Sequence, residues 1–373
     1  MNIFYDENMP YAVEFFQDFG LLYPFAGRDL SAKDIQDADV LLVRSITQVN
    51  ETLLAKNTRL KFVGTATIGV DHIDQTYLNE RHIGFSSSPG CNATSVAEYV
   101  LSCLVVLAER YCLTLSNMTV GIVGAGNTGS RLSEKLKALG IKYLLCDPLL
   151  SEQGKDSRTF ASLDDVLKCD VISLHVPKTL TGSHATYHMF DHARLNQLSD
   201  EQILINACRG EVIDNAALLA LKQAGKKFKL ILDVWENEPT ILSDLIPFCE
   251  IATAHIAGYS IEGKARGTEM LYRALCQQLK ITPEKQLKSY LAGANISELT
   301  INQSYSEILL NQMVKLVYDV RRDDAIFRQQ IFSHGFDYIR KTYPARREFS
   351  AIDINMTNQG QSDVWHHLGF NKR

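Results

Sequence analysis

The chain has 373 residues, 46% of them hydrophobic and 22% charged, with 38 Lys plus Arg against 43 Asp plus Glu for a net charge of -5. That length exceeds what one hydrophobic core usually supports, so two or three domains are expected in a globular protein, with no basic field to hold a nucleic acid. The acidic start, Met1 to Glu7, and the lack of any apolar run near the ~18 residues of a membrane span argue against a secretory leader or membrane segment, leaving a cytoplasmic location as the expectation.

Short β-rich runs at 3–5, 40–43, 62–64 and 84–86, with a helical pattern at 11–19, predict a parallel α/β sheet whose loops Arg44-Ser45 and Thr65-Ala66-Thr67 lie just past strand ends, where open α/β sheets bind ligands. Residues 93–112 form an apolar-rich run without Gly or Pro and predict a buried helix joining two domains. A strand at 119–123, a helix at 130–139 and a strand at 143–146 make a β-α-β unit. Strands at 171–175, 203–207, 230–234 and 250–253 extend that sheet to at least six. After about residue 280 the pattern changes to helices at 305–318 and around Trp365 with a strand at 352–354, a separate small α+β domain. The apolar stripe Ile308, Leu309, Met313, Leu316 and Val317 suits a core or interface better than an effector site. The eight cysteines are scattered without Cys-x-x-Cys pairs or neighbouring histidines, so they read as reduced core thiols and no metal site is expected.

Gly124-Ala125-Gly126-Asn127-Thr128-Gly129 matches G-x-G-x-x-G between a predicted strand and helix, and Asp147 stands at the end of the next strand. Glycines there permit a tight turn and let backbone N–H groups approach a pyrophosphate, while the acid accepts from the ribose hydroxyls and repels a 2′-phosphate. NAD is therefore expected over NADP, with Gly124, Gly126, Asn127, Thr128, Gly129 and Asp147 in contact. A glycine turn that merely packs helix on sheet, or an S-adenosylmethionine site, explains the combination less well.

Arg209, Glu238 and His255 follow three successive β-rich runs. A histidine can take the hydroxyl proton of a secondary alcohol near neutral pH, a carboxylate beside it stabilises the imidazolium, and an arginine holds a substrate carboxylate with two parallel donors. Singly each has a bland explanation, as a surface ion pair, a helix-start acid and a packed histidine. As an ordered set downstream of a dinucleotide loop they point to hydride transfer on a hydroxy acid. Asp233 is expected at the nicotinamide end. Cys208, beside Arg209, has no base in view and reads as a packed thiol.

Gly124 to Gly129, Asp147, Asn206-Ala207-Cys208-Arg209-Gly210, Asp233 to Pro239 and His255-Ile256-Ala257-Gly258 together resemble the D-2-hydroxyacid dehydrogenase family. The resemblance implies a Rossmann-type NAD-binding domain at 96–256, a flavodoxin-like substrate domain at 1–95 completed by about 257–285, and a C-terminal α+β dimerisation domain at 286–373. It implies cofactor contacts at His175, Cys208 and Gly258 besides those above, substrate contacts at Ser45, Thr67 and Tyr259, and a homodimer. Motifs along the whole chain, among them Asp6 to Ala12, Pro89 to Ala93 and Val317 to Asp324, are similar to a branch of that family acting on a small phosphorylated hydroxy acid on the route to pyridoxal 5′-phosphate. Arg44 and either Arg346 or Arg347 are expected to meet the phosphate, since a buried dianion needs cations or N–H donors, while dimer-interface or surface ion pairs explain Arg346 and Arg347 equally well. Phosphoglycerate, glyoxylate or hydroxypyruvate as substrate, or an NAD-sensing role without catalysis, are the other readings.

Overall fold

The computed structural model describes residues 1–356 and 362–372. The chain forms two compact units, Met1–Asn92 with Tyr259–Gly293, and Ala93–Gly258 with Ala294–Arg373.

The first unit is built on a five-stranded parallel sheet, β1 (Asn2–Asp6), β2 (Leu21–Phe25), β3 (Val40–Val43), β4 (Phe62–Thr65) and β5 (Gly84–Ser86), in the order β2-β1-β3-β4-β5. Successive side chains of β3 go to opposite faces: Val40 and Leu42 join one apolar cluster with Phe15, Phe16 and Leu271, while Leu41 and Val43 join another with Ile35, Leu54 and Leu78. Covering on both faces is what makes the strand an unbroken hydrophobic run. The edge strand β2 contains Pro24 and is partly exposed, a place where a missing N–H costs no ladder bond. Helix Ile261–Leu279 brings the chain back into this unit; Ser260 caps it by accepting from Gly263 N at 2.8 Å, and a Cβ at Gly267 would stand 2.9 Å from Ala66 O.

The second unit carries a six-stranded parallel sheet, β6 (Thr119–Val123), β7 (Lys142–Cys146), β8 (Val171–Leu174), β9 (Ile203–Asn206), β10 (Lys229–Leu232) and β11 (Ile251–Ala252), in the order β11-β10-β9-β8-β6-β7. The order reverses at β6, so the loop leaving β6 opens at the switch point where such sheets take ligands. Helix Ala93–Tyr111 is buried along most of its length, and helix Asn127–Ala138 packs beside it.

In the same unit the C-terminal part of the chain adds a three-stranded parallel sheet, β12 (Glu298–Ile301), β13 (Asp353–Met356) and β14 (Asn371–Lys372), in the order β12-β13-β14, with helices Glu307–Val317, Val320–His334 and Phe336–Lys341. Helix Val320–His334 lies at the β11 edge, where Asp324 Oδ1 accepts from Ala252 N at 2.8 Å and Arg328 donates to Ile246 O at 3.0 Å and Cys249 O at 2.7 Å. The open N–H of the edge strand is thereby satisfied. A buried charged cluster fastens residues 346–349 to helix Ala93–Tyr111: Lys135 Nζ lies 3.2 Å from Glu98 Oε1, Ser95 Oγ donates to Glu348 Oε1 at 2.7 Å, and Arg346 donates to Ser95 O. Burial pushes the Glu98 carboxyl up to about 7, against the pull of Lys135.

Candidate active site and dinucleotide loop

The loop from β6 into helix Asn127–Ala138 uses each glycine differently. Gly124 has φ +92°, and a Cβ there would stand 2.5 Å from His175 O. A Cβ at Gly129 would meet Gly124 O at 2.0 Å, so the helix closes on the loop only without a side chain. Gly126 has nothing within 4 Å of that position, which leaves its backbone open to an approaching anion at the helix N-terminus. Asn127 is exposed and Thr128 half-buried in the first helical turn. Asp147 follows β7, accepts from Ala125 N at 2.9 Å through Oδ2 and caps helix Pro148–Gln153 through Oδ1. His175 is held by a Ser173 Oγ contact at 2.9 Å, its Nδ1 is buried without a protein partner, and burial lowers its pKa to about 4, so the ring is neutral. An open glycine backbone, an acid one strand away and an orphaned ring nitrogen behind the loop together fit a dinucleotide.

The segments after β10 and β11 of the same sheet bring Glu238 and His255 of the predicted set together. His255 Nδ1 lies 2.7 Å from Glu238 Oε2, and Glu238 Oε1 accepts from Trp235 N at 2.9 Å. Burial alone would raise the Glu238 carboxyl, but the charge and hydrogen bond of His255 and the charge of Arg340 outweigh it and hold it below the usual carboxylate range. Asp233, at the end of β10, is buried and accepts from Thr253 Oγ1 at 2.6 Å, Ile256 N at 2.8 Å and Ala257 N at 2.9 Å. It therefore fixes the backbone on the C-terminal side of His255, the stretch that ends at Gly258. Burial raises its pKa, His255 and these donors opposing.

Arg209 sits after β9 and donates to Cys208 O at 2.7 Å. Gly210 beside it packs so closely that a Cβ would stand 1.9 Å from the carbonyl carbon of Trp235, which sets the Arg209 loop directly against the turn that carries Glu238. Cys208 is buried and its thiol pushed up to about 11, in keeping with a packed side chain and not a nucleophile. Below the turn, Glu236 Oε1 lies 2.5 Å from His188 Nε2, while the other ring nitrogen of His188 faces Asp214 at 3.7 Å. Because the two acids address different ring nitrogens, the trio holds a histidine between carboxylates.

The predicted substrate residues lie in the first unit. Arg44 follows β3, its guanidinium 5.3 Å from the centroid of the Tyr259 ring and its NH1 3.3 Å from Asn8 O. Lys264 Nζ stands 4.2 Å from the same ring centroid. Ser45 is half-buried in the same loop as Arg44. Thr67 Oγ1 donates to Gly69 O at 2.9 Å and meets Thr65 Oγ1 at 2.7 Å, and Thr65 in turn meets His72 Nε2 at 2.9 Å. Arg346 is 2% exposed with its guanidinium 3.8 Å from the centroid of the Tyr318 ring, so it is an internal clamp of the second unit and the expectation that it meets the phosphate is corrected.

Sequence reasoning missed several supporting groups. Tyr99, in the middle of the long helix, reaches Thr253 Oγ1 at 2.8 Å, and Trp235 Nε1 donates to Thr253 O at 2.8 Å. Arg158 donates to Ala125 O at 3.0 Å and Ser130 Oγ at 2.8 Å, bracing the glycine loop. Thr253, two residues before His255, and Trp235, within the motif Asp233 to Pro239, had a local signal; Tyr99 and Arg158 had none.

A family model described as "D-isomer specific 2-hydroxyacid dehydrogenase, NAD binding domain" matches residues 106–257, and one described as "Domain of unknown function (DUF3410)" matches residues 290–369. The chain is 62% identical over 392 aligned residues to the erythronate-4-phosphate dehydrogenase of Colwellia psychrerythraea, with all of both chains covered. It is 52% identical over 371 residues to the protein of the same name from Tolumonas auensis, covering 99% of each. Among solved structures, D-lactate dehydrogenase from Aquifex aeolicus complexed with NAD and lactic acid is similar at 28% identity and TM-score 0.62, covering 75% of this chain and 96% of that one. The NAD-bound 3-phosphoglycerate dehydrogenase of Entamoeba histolytica shares the fold at 23% identity and TM-score 0.63, covering 75% and 95%.

Proposed function

Because the chain belongs to the D-isomer specific 2-hydroxyacid dehydrogenase family, on the branch of the erythronate-4-phosphate dehydrogenases, we propose that it oxidises 4-phospho-D-erythronate to 2-oxo-3-hydroxy-4-phosphobutanoate, a step toward pyridoxal 5′-phosphate. The observation that carries the mechanism is the Glu238–His255 pair at 2.7 Å, beside which Gly210 seats the Arg209 loop.

NAD, when bound, supplies the acceptor for the hydride from C2 of the substrate. His255 takes the proton of the C2 hydroxyl on Nε2, because Nδ1 is engaged by Glu238, and the ionised Glu238 stabilises the resulting imidazolium. Arg209 grips the substrate carboxylate through its planar donors and so orients C2. The glycine loop and Asp147 hold the dinucleotide, with His175, Cys208, Asp233 and Gly258 as its further neighbours. Arg44 and Lys264, two cations around one tyrosine ring, receive the phosphate, and Ser45, Thr67 and Tyr259 complete the substrate contacts.

The enzyme acts as a homodimer through the C-terminal part of the chain. In support, Ile308 and Phe332 there are each 75% exposed, an unusual placement for large apolar side chains that a partner surface would cover. A cytoplasmic location is supported by eight cysteines that are all free thiols.

The test is NADH formation by the purified protein with NAD and 4-phospho-D-erythronate, beside 3-phosphoglycerate and unphosphorylated erythronate. Preference for the first is expected. Turnover of the others alone would keep the chemistry and overturn the substrate, and no turnover despite NAD binding would favour a sensing role.

A further inference from the structure

The backbone of His255 is in the left-handed region, with φ +56°. A residue that carries a Cβ keeps that conformation only where its neighbours hold it, and the hold here is Asp233. Its carbonyl accepts from His255 N at 2.6 Å, and its carboxylate accepts from the next two amides, Ile256 N at 2.8 Å through Oδ1 and Ala257 N at 2.9 Å through Oδ2. The kink that leaves the imidazole 2.7 Å from Glu238 therefore depends on the Asp233 side chain staying in place.

What holds Asp233 is a buried chain of hydroxyls. Thr253 Oγ1 donates to Asp233 Oδ1 at 2.6 Å and lies 2.8 Å from the Tyr99 hydroxyl, and all three residues are at most 1% exposed. A backbone N–H can only donate, so a carboxylate that takes two of them is served best as an ionised acceptor, and the single Thr253 proton goes to it as the third donor. Thr253 Oγ1 is then the acceptor in its contact with Tyr99, which donates. Burial pushes the Tyr99 phenol well above its ordinary range and so keeps that proton in place. Thr253 has a further tie to the site: its carbonyl accepts from Trp235 Nε1 at 2.8 Å, and Trp235 N donates to Glu238 Oε1 at 2.9 Å. One buried threonine thereby meets both the residue that shapes the His255 kink and the residue that holds the carboxylate partner of His255.

We propose that Thr253 and Tyr99 are positioning residues for the reaction: the directed chain from the Tyr99 hydroxyl through Thr253 to Asp233 fixes the backbone kink that sets His255 against Glu238. The inference rests on the reading that His255 takes the substrate proton. Two consequences separate this role from ordinary packing. The hydroxyl at position 253 matters and the methyl does not. The two hydroxyls also act in series, so that without Thr253 the Tyr99 hydroxyl has no acceptor, and removing it as well changes little more.

The experiment is steady-state oxidation by the full chain, with kcat and KM measured separately for wild type, Thr253→Val, Thr253→Ser, Tyr99→Phe and the double variant Thr253→Val with Tyr99→Phe, alongside thermal melting. Valine matches threonine in shape but has no hydroxyl, so Thr253→Val is expected to lower kcat by about tenfold or more, with KM for the hydroxy acid within about threefold because Arg209 is untouched. Tyr99→Phe is expected to lower kcat by a smaller factor, about three to five, and Thr253→Ser to restore most of the rate. The double variant is expected to match Thr253→Val within about twofold. A kcat for Thr253→Val within about twofold of wild type overturns the proposal, as does a serine variant as slow as the valine one. So does a double variant whose loss is the product of the two single losses, since that is what independent sites give. If Thr253→Val does not fold, Tyr99→Phe decides, because it removes one oxygen a step further from the site: a fall in kcat that leaves KM in place supports the chain, and wild-type kcat overturns it. Wild type that turns over no 2-hydroxy acid would overturn the reading of His255 itself.

Discussion

A proton leaving a secondary alcohol needs a prepared acceptor, and in the proposed mechanism His255 is that acceptor, because a carboxylate at 2.7 Å occupies Nδ1 and leaves Nε2 for a substrate. Replacing it by asparagine keeps a polar side chain of similar reach but no titratable nitrogen. His255→Asn is expected to bind NAD as before and to lose at least ~100-fold in kcat, measured by NADH formation against NAD titration. Near-normal turnover would mean another group carries the proton. In the proposed function Lys264 and Arg44 act on binding instead: Lys264→Met and Arg44→Met should each raise KM for the phosphorylated substrate by about tenfold or more, the scale of one charge-assisted contact, with little change in KM for NAD. Equal effects on both KM values would argue against a phosphate contact.

At the scale of elements, the close approach of the loop after β9 to the turn after β10 decides whether Arg209 and Glu238 act together. Gly210→Ala would push a Cβ into the Trp235 backbone, which cannot yield as a flexible side chain can. A fall in kcat of ~10-fold or more and a loss of about 1–3 kcal/mol in stability are expected, read from steady-state kinetics and denaturant unfolding. An alanine variant with wild-type kcat would show that the spacing of the two loops is not critical. Most strands of the two main sheets were legible as short, apolar-rich runs, as at Val40–Val43 and Thr119–Val123, where expectation and structure coincide. The edge strand Leu21–Phe25 was not, because Pro24 and its exposed positions remove the buried-strand signal. Helices Val320–His334 and Phe336–Lys341 were missed as well, since charged residues interrupt their apolar positions and their core face is set by Trp235, far away in the chain.

At the scale of the molecule, the exposed Ile308 and Phe332 carry the case for a second copy. Ile308→Glu with Phe332→Glu should leave the fold intact, because both side chains are at the surface, and should shift the protein from dimer to monomer in light scattering after size exclusion. A dimer that persists would move the interface elsewhere. What the sequence determined by itself was the chemistry: the glycine loop, Asp147, and the runs ending in Arg209, Glu238 and His255 are each contiguous, and a contiguous motif carries its own turn and strand with it. What only the tertiary structure decided was company. Arg346 became an internal clamp over Tyr318 and not a phosphate ligand, and Lys264 came to the ring of Tyr259 beside Arg44. An isolated cation in a sequence is equally suited to solvent, a carboxylate or a phosphate. Which of these it meets depends on the packing of elements distant along the chain, and burial then sets how strongly its charge is felt.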